Sequence, residues 1–390
     1  MADTTAQQIL WLLISTTLVM LTLPGVALFY GGMVRRKNLL NTMGCPLLAL
    51  ALASVLWLIF GVAGIFPIES SSMSGPSTHA APLRQVYHAM AAALALGLLS
   101  GALVERIRFL FFLIFGMGWL GLVYVPISHW LWGGGWLTNL GSLDYAGGAV
   151  IHLSAGVSAL VAAIMIGPRK GYGRTDMKPN QLPLSICGAA FMWVGWIGFA
   201  AGPVSSPMTT VTGSFVAIQM AAAAAALTWM TAEWIQRDKP TALGTVSGAV
   251  AGLVAIAPAA GYVGPLSAVV IGIGAAGLCY MVVNYVKLIL GYDDSLDVFG
   301  MHGVGGAWGM IATGLFASTA ANPEGSDGLF YGYPYQLFAQ TAAVMSVTLF
   351  AGAATFLLVR AIRLVLAPRV VEEAEVMGLD LSQHGEKGYS

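Results

Sequence analysis

The stretch Gly291-Tyr-Asp-Asp-Ser-Leu-Asp-Val-Phe-Gly-Met-His-Gly-Val-Gly-Gly-Ala-Trp-Gly309 decides how the chain is interpreted. Three carboxylates lead into an apolar, glycine-rich segment that contains one histidine, His302. Only 9% of the 390 residues are charged, so such a cluster needs a reason. An ionisable ring among apolar residues is costly in a membrane, and this makes His302 a candidate functional residue.

The composition is that of a helical membrane protein. Hydrophobic residues make up 57% of the chain, which contains 49 glycines, and the mean hydropathy is +0.79. These values lie well outside the range of soluble domains. The formal net charge is zero, which gives no electrostatic case for nucleic-acid binding. The cysteines Cys45, Cys187 and Cys279 show no CxxC spacing, so neither a disulfide nor a zinc site is indicated.

Hydropathy predicts eleven membrane-spanning helices, each near the ~20 residues that a bilayer requires. Their predicted limits are 9–33, 41–67, 85–104, 109–131, 146–167, 182–202, 211–235, 243–258, 263–289, 300–320 and 333–364. With the C-terminus inside, Arg84 is the single Lys or Arg among 17 that falls outside. This positive-inside bias predicts an N-out, C-in topology.

An internal symmetry accompanies the predicted spans. Asp144 opens a small-residue segment with His152 inside it, and Asp297 does the same for His302. The two units lie five spans apart, so the halves would be inverted in the membrane, as in many transporters whose substrate site lies at the midplane. We therefore predict inverted five-helix repeats over about 9–167 and 182–320, with the eleventh helix outside them. The transmembrane domain then covers 1–366 and a cytoplasmic tail covers 367–390.

His152 and His302 occupy the interior of repeat-related spans. Each ring could be satisfied by a backbone carbonyl in an ordinary helix contact, but a symmetric pair favours a function. A metal site needs three or four ligands, and no Cys, Asp or Glu accompanies the pair in either helix. Two imidazoles that share a proton suit a narrow conduit for a very small solute or a proton. No nucleophile or cofactor loop accompanies them, so neither an enzyme nor a cofactor is predicted.

Two further residues lie at the outer end of the predicted spans. Asp144 could stabilise a cation, or it could cap its helix through backbone N–H groups. Capping is the expectation for Asp297. Trp132 fits an interfacial aromatic belt, or a vestibule that holds a cation against a ring face.

The chain resembles the ammonium transporter/Rhesus (Amt/Rh) family over its whole length. The matching stretches are Gly25–Gly32 with Lys37 and Asn38, Gly101–Arg108, Asp144–His152, Asp293–Gly306 and the tail Gly378–Glu386.

This resemblance implies a homotrimer in the cytoplasmic membrane, with one pore in each subunit. His152 and His302 would be the twin histidines of that pore, and Asp144 and Trp132 would recruit and deprotonate ammonium. Ammonia would then pass the histidines, and the proton would follow separately by a water and histidine route, which would make transport electrogenic. The family's tail also makes docking of a PII-type signalling protein conceivable at the cytoplasmic face.

The chain departs from the family's pattern at the pore gate. A Phe-Gln-x-x-Phe run is usual in span three, where this chain has Tyr87-His88-Ala89-Met90-Ala91, so the second ring is missing at Ala91. We expect Phe215 to be the retained gate partner, and Gln219 to stand where a serine commonly completes the ammonium site. Gln219, His88, Met90 or water would fill the vacated space.

The altered gate leaves a second function open. The chain could be an ammonium sensor built on a transporter fold. Because about 25 residues follow the last span, such a sensor would act through a separate partner.

Overall fold

The computed structural model describes residues 2–62, 80–201 and 208–389. Helices account for nearly all regular structure in these ranges, and they contain no strand beyond one isolated bridge between Ile107 and Arg369. The α-helices are α1 Ala2–Met33, α2 Leu39–Val62, α3 Ala80–Ser100, α4 Phe109–Trp119, α5 Val125–Trp132, α6 Trp136–Asn139, α7 Ser154–Ile166, α8 Leu182–Trp196, α9 Met208–Arg237, α10 Ala242–Ile256, α11 Pro265–Met281, α12 Lys287–Leu290, α13 Val304–Phe316, α14 Pro334–Arg363, α15 Glu372–Met377 and α16 Leu379–His384.

Four π-helical segments interrupt or begin these helices. Leu120–Tyr124 joins α4 to α5, and Val282–Val286 joins α11 to α12. Gly148–Leu153 leads into α7, and Phe299–Gly303 leads into α13. π-Turns are rare and occur frequently at functional sites. The last two contain His152 and His302.

Within the described residues, eight helices are long and apolar enough to cross a membrane. They cover Gln8–Met33, Arg36–Phe60, Phe109–Asn139, Gly148–Ile166, Leu182–Phe199, Thr209–Arg237, Pro265–Leu290 and Pro334–Arg363. The shorter α10 is apolar as well. The prediction of an all-helical, multi-pass membrane protein is confirmed.

Helix α7 crosses the π segment Phe299–Gly303, and α13 crosses the π segment Gly148–Leu153. A Cβ added at Gly156 would overlap the backbone N and Cα of Gly303. A Cβ added at Gly306 would lie 2.6 Å from the carbonyl oxygen of Gly148 and 3.1 Å from the Cβ of His152. Small residues at such crossings allow close backbone approach. The two histidine-bearing segments are therefore held together by direct backbone contact.

A buried ion network lies at the end of the bundle that carries the C-terminal segment, here named the tail end. Arg169 bonds to Asp293 and to Glu105, with N–O distances of 2.7 Å to each. Arg35 donates to Glu105 at 3.0 Å. Burial alone would raise the pKa of Glu105 and of Asp293, but the neighbouring arginines outweigh it and hold both pKa values below their ordinary range.

The C-terminal segment packs on this end. The Asp380 carboxylate accepts hydrogen bonds from the N–H groups of Leu40 and Asn41 at 3.0 and 2.8 Å, which caps α2. The Lys37 ammonium donates to the carbonyls of Glu375 and Val376 at the end of α15. Residues 369–389 are thus an ordered part of the fold.

Candidate functional site

The rings of His152 and His302 face each other where the π segments Gly148–Leu153 and Phe299–Gly303 meet. Their centroids are 5.3 Å apart and their planes are inclined by 19°. The side chains are 1% and 4% exposed. Among the described residues neither Nδ1 atom has a hydrogen-bond partner. Buried polar atoms without a partner are rare, and these two provide the hydrogen-bonding capacity of an otherwise apolar site.

A line of aromatic rings continues from the histidine pair. Trp196, at the end of α8, stacks on His152 with centroids 5.2 Å apart and planes within 7°. Phe199 lies 5.9 Å from Trp196 and meets Tyr87 edge-on at 6.3 Å. These three side chains are buried. The rings connect the histidines to the α3 segment in which the sequence places the gate.

Asp144 begins the segment that carries His152. Its carboxylate accepts hydrogen bonds from four consecutive N–H groups, those of Gly147, Gly148, Ala149 and Val150, at 2.6 to 3.0 Å. Gly147 has a φ of +91°, a left-handed conformation that suits glycine. The carboxylate therefore caps the helix. No Lys or Arg pairs with it in the described part of the chain.

Asp294 holds the position before His302 that Asp144 holds before His152, and it takes the capping role that was expected of Asp297. Asp294 precedes His302 by the same number of residues as Asp144 precedes His152, and its Oδ2 accepts from the Phe299 N–H at 2.7 Å. Asp297 has a φ of +59° and so adopts the left-handed conformation that Gly147 adopts before His152. Its carboxylate pairs with Lys287 Nζ at 2.6 Å, which keeps it structural.

The Asp144 end of the site, here named the vestibule, gathers aromatic residues around a third histidine. Trp132 Nε1 donates to the Asp144 carbonyl at 2.7 Å. The His88 ring lies 5.9 Å from the Trp132 ring, and it stacks on Trp57 at 6.1 Å with planes 24° apart. Asp144, Trp132 and His88, which the sequence analysis singled out, are therefore neighbours.

The gate residues are only partly where the sequence places them. Tyr87 and Ala91 are buried on α3, and Tyr87 contacts Phe199. Phe215, the expected partner, lies on α9 with 45% of its side chain exposed. The side-chain oxygen of Gln219, Oε1, accepts a hydrogen bond from Trp193 Nε1 at 3.1 Å, at the exposed surface of α8 and α9. The structure does not bring Phe215 or Gln219 to the ring cluster.

Sequence reasoning missed Trp196 and Phe199. The available signal was that both residues fall near the end of the predicted sixth span, 182–202, which opens the second predicted repeat. No group of three or more His, Cys, Asp or Glu side chains in the described ranges is arranged to hold a metal ion.

Comparison with known proteins identifies the family of the chain. The sequence profile described as the Ammonium Transporter Family matches residues 10–389. The chain belongs to the ammonium transporter family. The resemblance noted in the sequence is thereby confirmed.

Relatives and solved structures of this family match over almost the full chain. An ammonium transporter of Bacillus subtilis is 43% identical over 388 residues, covering 95% of this chain and 96% of the relative. Ammonium transporter Amt1 of Archaeoglobus fulgidus is 40% identical, with 97% and 98% covered. The crystal structure of Candida albicans Mep2 matches with a TM-score of 0.84 at 33% identity, covering 94% of this chain and 86% of that one. A structure named Sensor Amt Protein matches with a TM-score of 0.89 at 25% identity, with 98% and 100% covered.

Proposed function

We propose that this chain transports ammonium across a membrane by passing ammonia between His152 and His302. The observation that carries the proposal is the pair of facing, buried imidazoles, each with an Nδ1 atom that no side chain or backbone group of the described residues engages. Such a pair can donate and accept hydrogen bonds to a small neutral solute. The relatives named ammonium transporters supply the identity of that solute.

Recruitment of the cation takes place in the vestibule. The Asp144 carboxylate carries a negative charge that no side-chain cation of the described residues neutralises, and the Trp132 ring is fixed on the Asp144 carbonyl. A cation over a tryptophan face gains roughly 0.5 to 2 kcal/mol. The carboxylate adds a favourable electrostatic field, which burial of Asp144 strengthens relative to bulk water.

The cation loses its proton before it reaches the histidines. An ammonium ion in an apolar, aromatic-lined passage would forfeit its hydration, at a cost of tens of kcal/mol in the idealised limit, whereas neutral ammonia forfeits far less. The gate between vestibule and histidines is formed by Tyr87 and Phe199, with Ala91 leaving room beside them. The proton follows through the histidine pair, so transport is electrogenic.

The finer architecture belongs to the same proposal. Eleven membrane-spanning helices form two inverted five-helix repeats and one additional helix, α14, with the N-terminus outside and the C-terminus inside. Three copies assemble as a homotrimer in the cytoplasmic membrane. The tail end faces the cytoplasm, where a PII-type protein can dock. Asp144 and Asp294, which occupy equivalent positions before His152 and His302, support the inverted repeat.

Ammonium-evoked current from purified protein in proteoliposomes tests the proposal. Wild-type protein is expected to give a saturable current that depends on ammonium. His152→Ala and Asp144→Ala are expected to reduce it by at least about tenfold, since each removes a group that acts on the migrating species. Absence of a wild-type current, in vesicles that contain folded protein, would refute electrogenic transport.

An ammonium sensor is the second candidate, and the structural match to the Sensor Amt Protein favours it. A sensor binds ammonium without moving it. Equilibrium binding of ammonium to purified protein, together with flux of labelled methylammonium into the same vesicles, separates the two functions. Tight binding without flux would support the sensor.

A further inference from the structure

The backbone that leads into Asp144 is held by two glutamines of α14. Gln340 Oε1 accepts hydrogen bonds from the Leu143 N–H at 2.7 Å and from the Ser142 hydroxyl at 2.9 Å. Its Nε2 donates to the Leu143 carbonyl at 2.7 Å. One turn earlier, Gln336 Nε2 donates to the Gly141 carbonyl at 2.9 Å. Residues 141–143 are thus bonded along their length to the helix that lies outside the proposed repeats.

Gln340 also reaches the second histidine's helix. Its Nε2 lies 3.3 Å from the carbonyl oxygen of Met310, in the middle of α13. The side chain is 0% exposed, and both of its polar atoms are engaged. A fully satisfied buried amide of this kind fixes the groups around it, because each alternative arrangement would leave a buried polar atom unpaired.

Residues 141–143, which the two glutamines hold, set the geometry of the vestibule. Leu143 is followed directly by Asp144, whose carbonyl accepts the Trp132 Nε1–H at 2.7 Å and whose carboxylate caps the His152 segment. A shift of the Leu143 peptide would therefore move the carboxylate and turn the tryptophan together. Cation recruitment depends on both groups.

The equivalent loop at the tail end is held by cations. Arg106 donates to the Asp293 carbonyl at 2.6 Å and to the Ser295 hydroxyl at 2.5 Å, and Lys287 donates to the Asp294 carbonyl at 2.7 Å. A cation in that role beside Asp144 would cancel the field of its carboxylate. A neutral amide supplies the same hydrogen bonds without that cost.

We propose that Gln340 is a positioning residue for ammonium recruitment, which fixes Asp144 and Trp132 through the Leu143 peptide while adding no positive charge to the vestibule. Gln336 assists at Gly141. This inference rests on the proposed function, because it assigns the α14 glutamines a role in the affinity of the transporter for its cation.

The test compares KM and maximal rate for ammonium-evoked current in proteoliposomes. Gln340→Met keeps the length of the side chain and removes its hydrogen bonds, so KM is expected to rise about tenfold with the maximal rate within about twofold. Gln336→Met, which removes one bond, is expected to raise KM about threefold. Gln340→Asn, which keeps the amide but shortens its reach, should lie between wild type and Gln340→Met.

Thr355→Val provides the matched control on the same helix. Thr355 is buried on α14 and donates to the Ser158 hydroxyl at 2.8 Å, away from the vestibule. This variant is expected to lower thermal stability and leave KM unchanged. If Gln340→Met does not yield folded protein, Gln336→Met and Gln340→Asn provide the same readout.

An unchanged KM in the folded glutamine variants would overturn the positioning role while leaving transport intact. A wild-type protein without current would refute the transport proposal instead. In that event the Kd for ammonium, measured by titration calorimetry on the same variants, tests the positioning role: a Kd raised about tenfold in Gln340→Met supports it, and an unchanged Kd overturns it.

Discussion

The ring of Tyr87 on α3 meets the ring of Phe199 edge-on, with centroids 6.3 Å apart. This contact closes the aromatic line that runs from the vestibule to Trp196 and His152. Ala91 lies one turn below Tyr87 on the same helix and contributes no ring. Tyr87 therefore pairs with Phe199 and not with Phe215 in the proposed gate.

Replacing Phe199 with Ala is expected to weaken discrimination between ammonium and methylammonium. Loss of the ring opens the passage beside Tyr87, so the methylammonium rate relative to ammonium should rise severalfold. Truncating a buried Phe also costs about 3 to 5 kcal/mol of stability, which requires a check of folding by thermal melting.

Phe215→Ala is the control for this substitution, because the Phe215 side chain is half exposed on α9. Its selectivity should equal that of the wild type. The opposite result would be an altered selectivity in Phe215→Ala together with an unchanged selectivity in Phe199→Ala. It would make Phe215 the gate residue and would contradict a gate formed by the contact between Tyr87 and Phe199.

The crossing of α7 with the π segment Phe299–Gly303 predicts a large effect from one methyl group. Gly156→Ala places a Cβ onto the Gly303 backbone, which cannot yield as a flexible side chain would. Overpacking costs typically about 1 to 3 kcal/mol, and the cost here should lie at or above the upper value. The melting temperature in detergent should fall, and the current should be lost.

Gly44→Ala is the paired control, because a Cβ at Gly44 on α2 meets no atom within 4 Å. Replacing a helical glycine with alanine in open space stabilises by about 0.4 to 1 kcal/mol. Its melting temperature should equal or exceed that of the wild type. Equal melting temperatures for Gly156→Ala and the wild type would mean that the helices are not in backbone contact.

The ion network at the tail end predicts a pH dependence of stability. The folded pKa values of Glu105 and Asp293 lie below their ordinary values, so the ionised carboxylates stabilise the fold above about pH 4. This contribution is lost as the pH falls through the folded pKa values. Wild-type melting temperatures should therefore decrease below about pH 4.

Arg169→Met should gain stability as the pH falls from 7 to 5, a range over which the wild type is expected to keep its stability. Removal of Arg169 leaves Glu105 and Asp293 buried with fewer partners, which costs about 3 to 5 kcal/mol at neutral pH. Burial then raises their pKa values, so protonation on acidification recovers stability. Lys178→Met, which removes an exposed pair with Asp176, should match the wild type throughout. A parallel pH profile for Arg169→Met and wild type would contradict the assignment.

The sequence predicted the helical membrane class and the histidine pair because both depend on local composition and on a repeated pattern. It also predicted one recruitment site from Asp144, Trp132 and Gln219; the structure places Trp132 on the Asp144 carbonyl but Gln219 at the exposed surface of α8 and α9. Phe199 was missed because its contact with Tyr87 depends on how the 3₁₀ segment after α8, Ile197–Ala201, approaches α3, which no spacing within either element encodes. The sequence predicts Asp297 as the cap because it precedes the predicted tenth span, whereas the left-handed turn at that position moves the cap back to Asp294.

The backbone contact between the two histidine-bearing segments has a consequence for behaviour in lipid. A Cβ added at Gly156 would lie 3.0 Å from the carbonyl carbon of His302, and a Cβ added at Gly306 would lie 3.1 Å from the Cβ of His152. The spacing of the two histidine backbones is therefore fixed by direct main-chain contact, with no side chain between them that could adjust. Bilayers of different thickness can tilt the outer helices, but this main-chain spacing should stay constant across them.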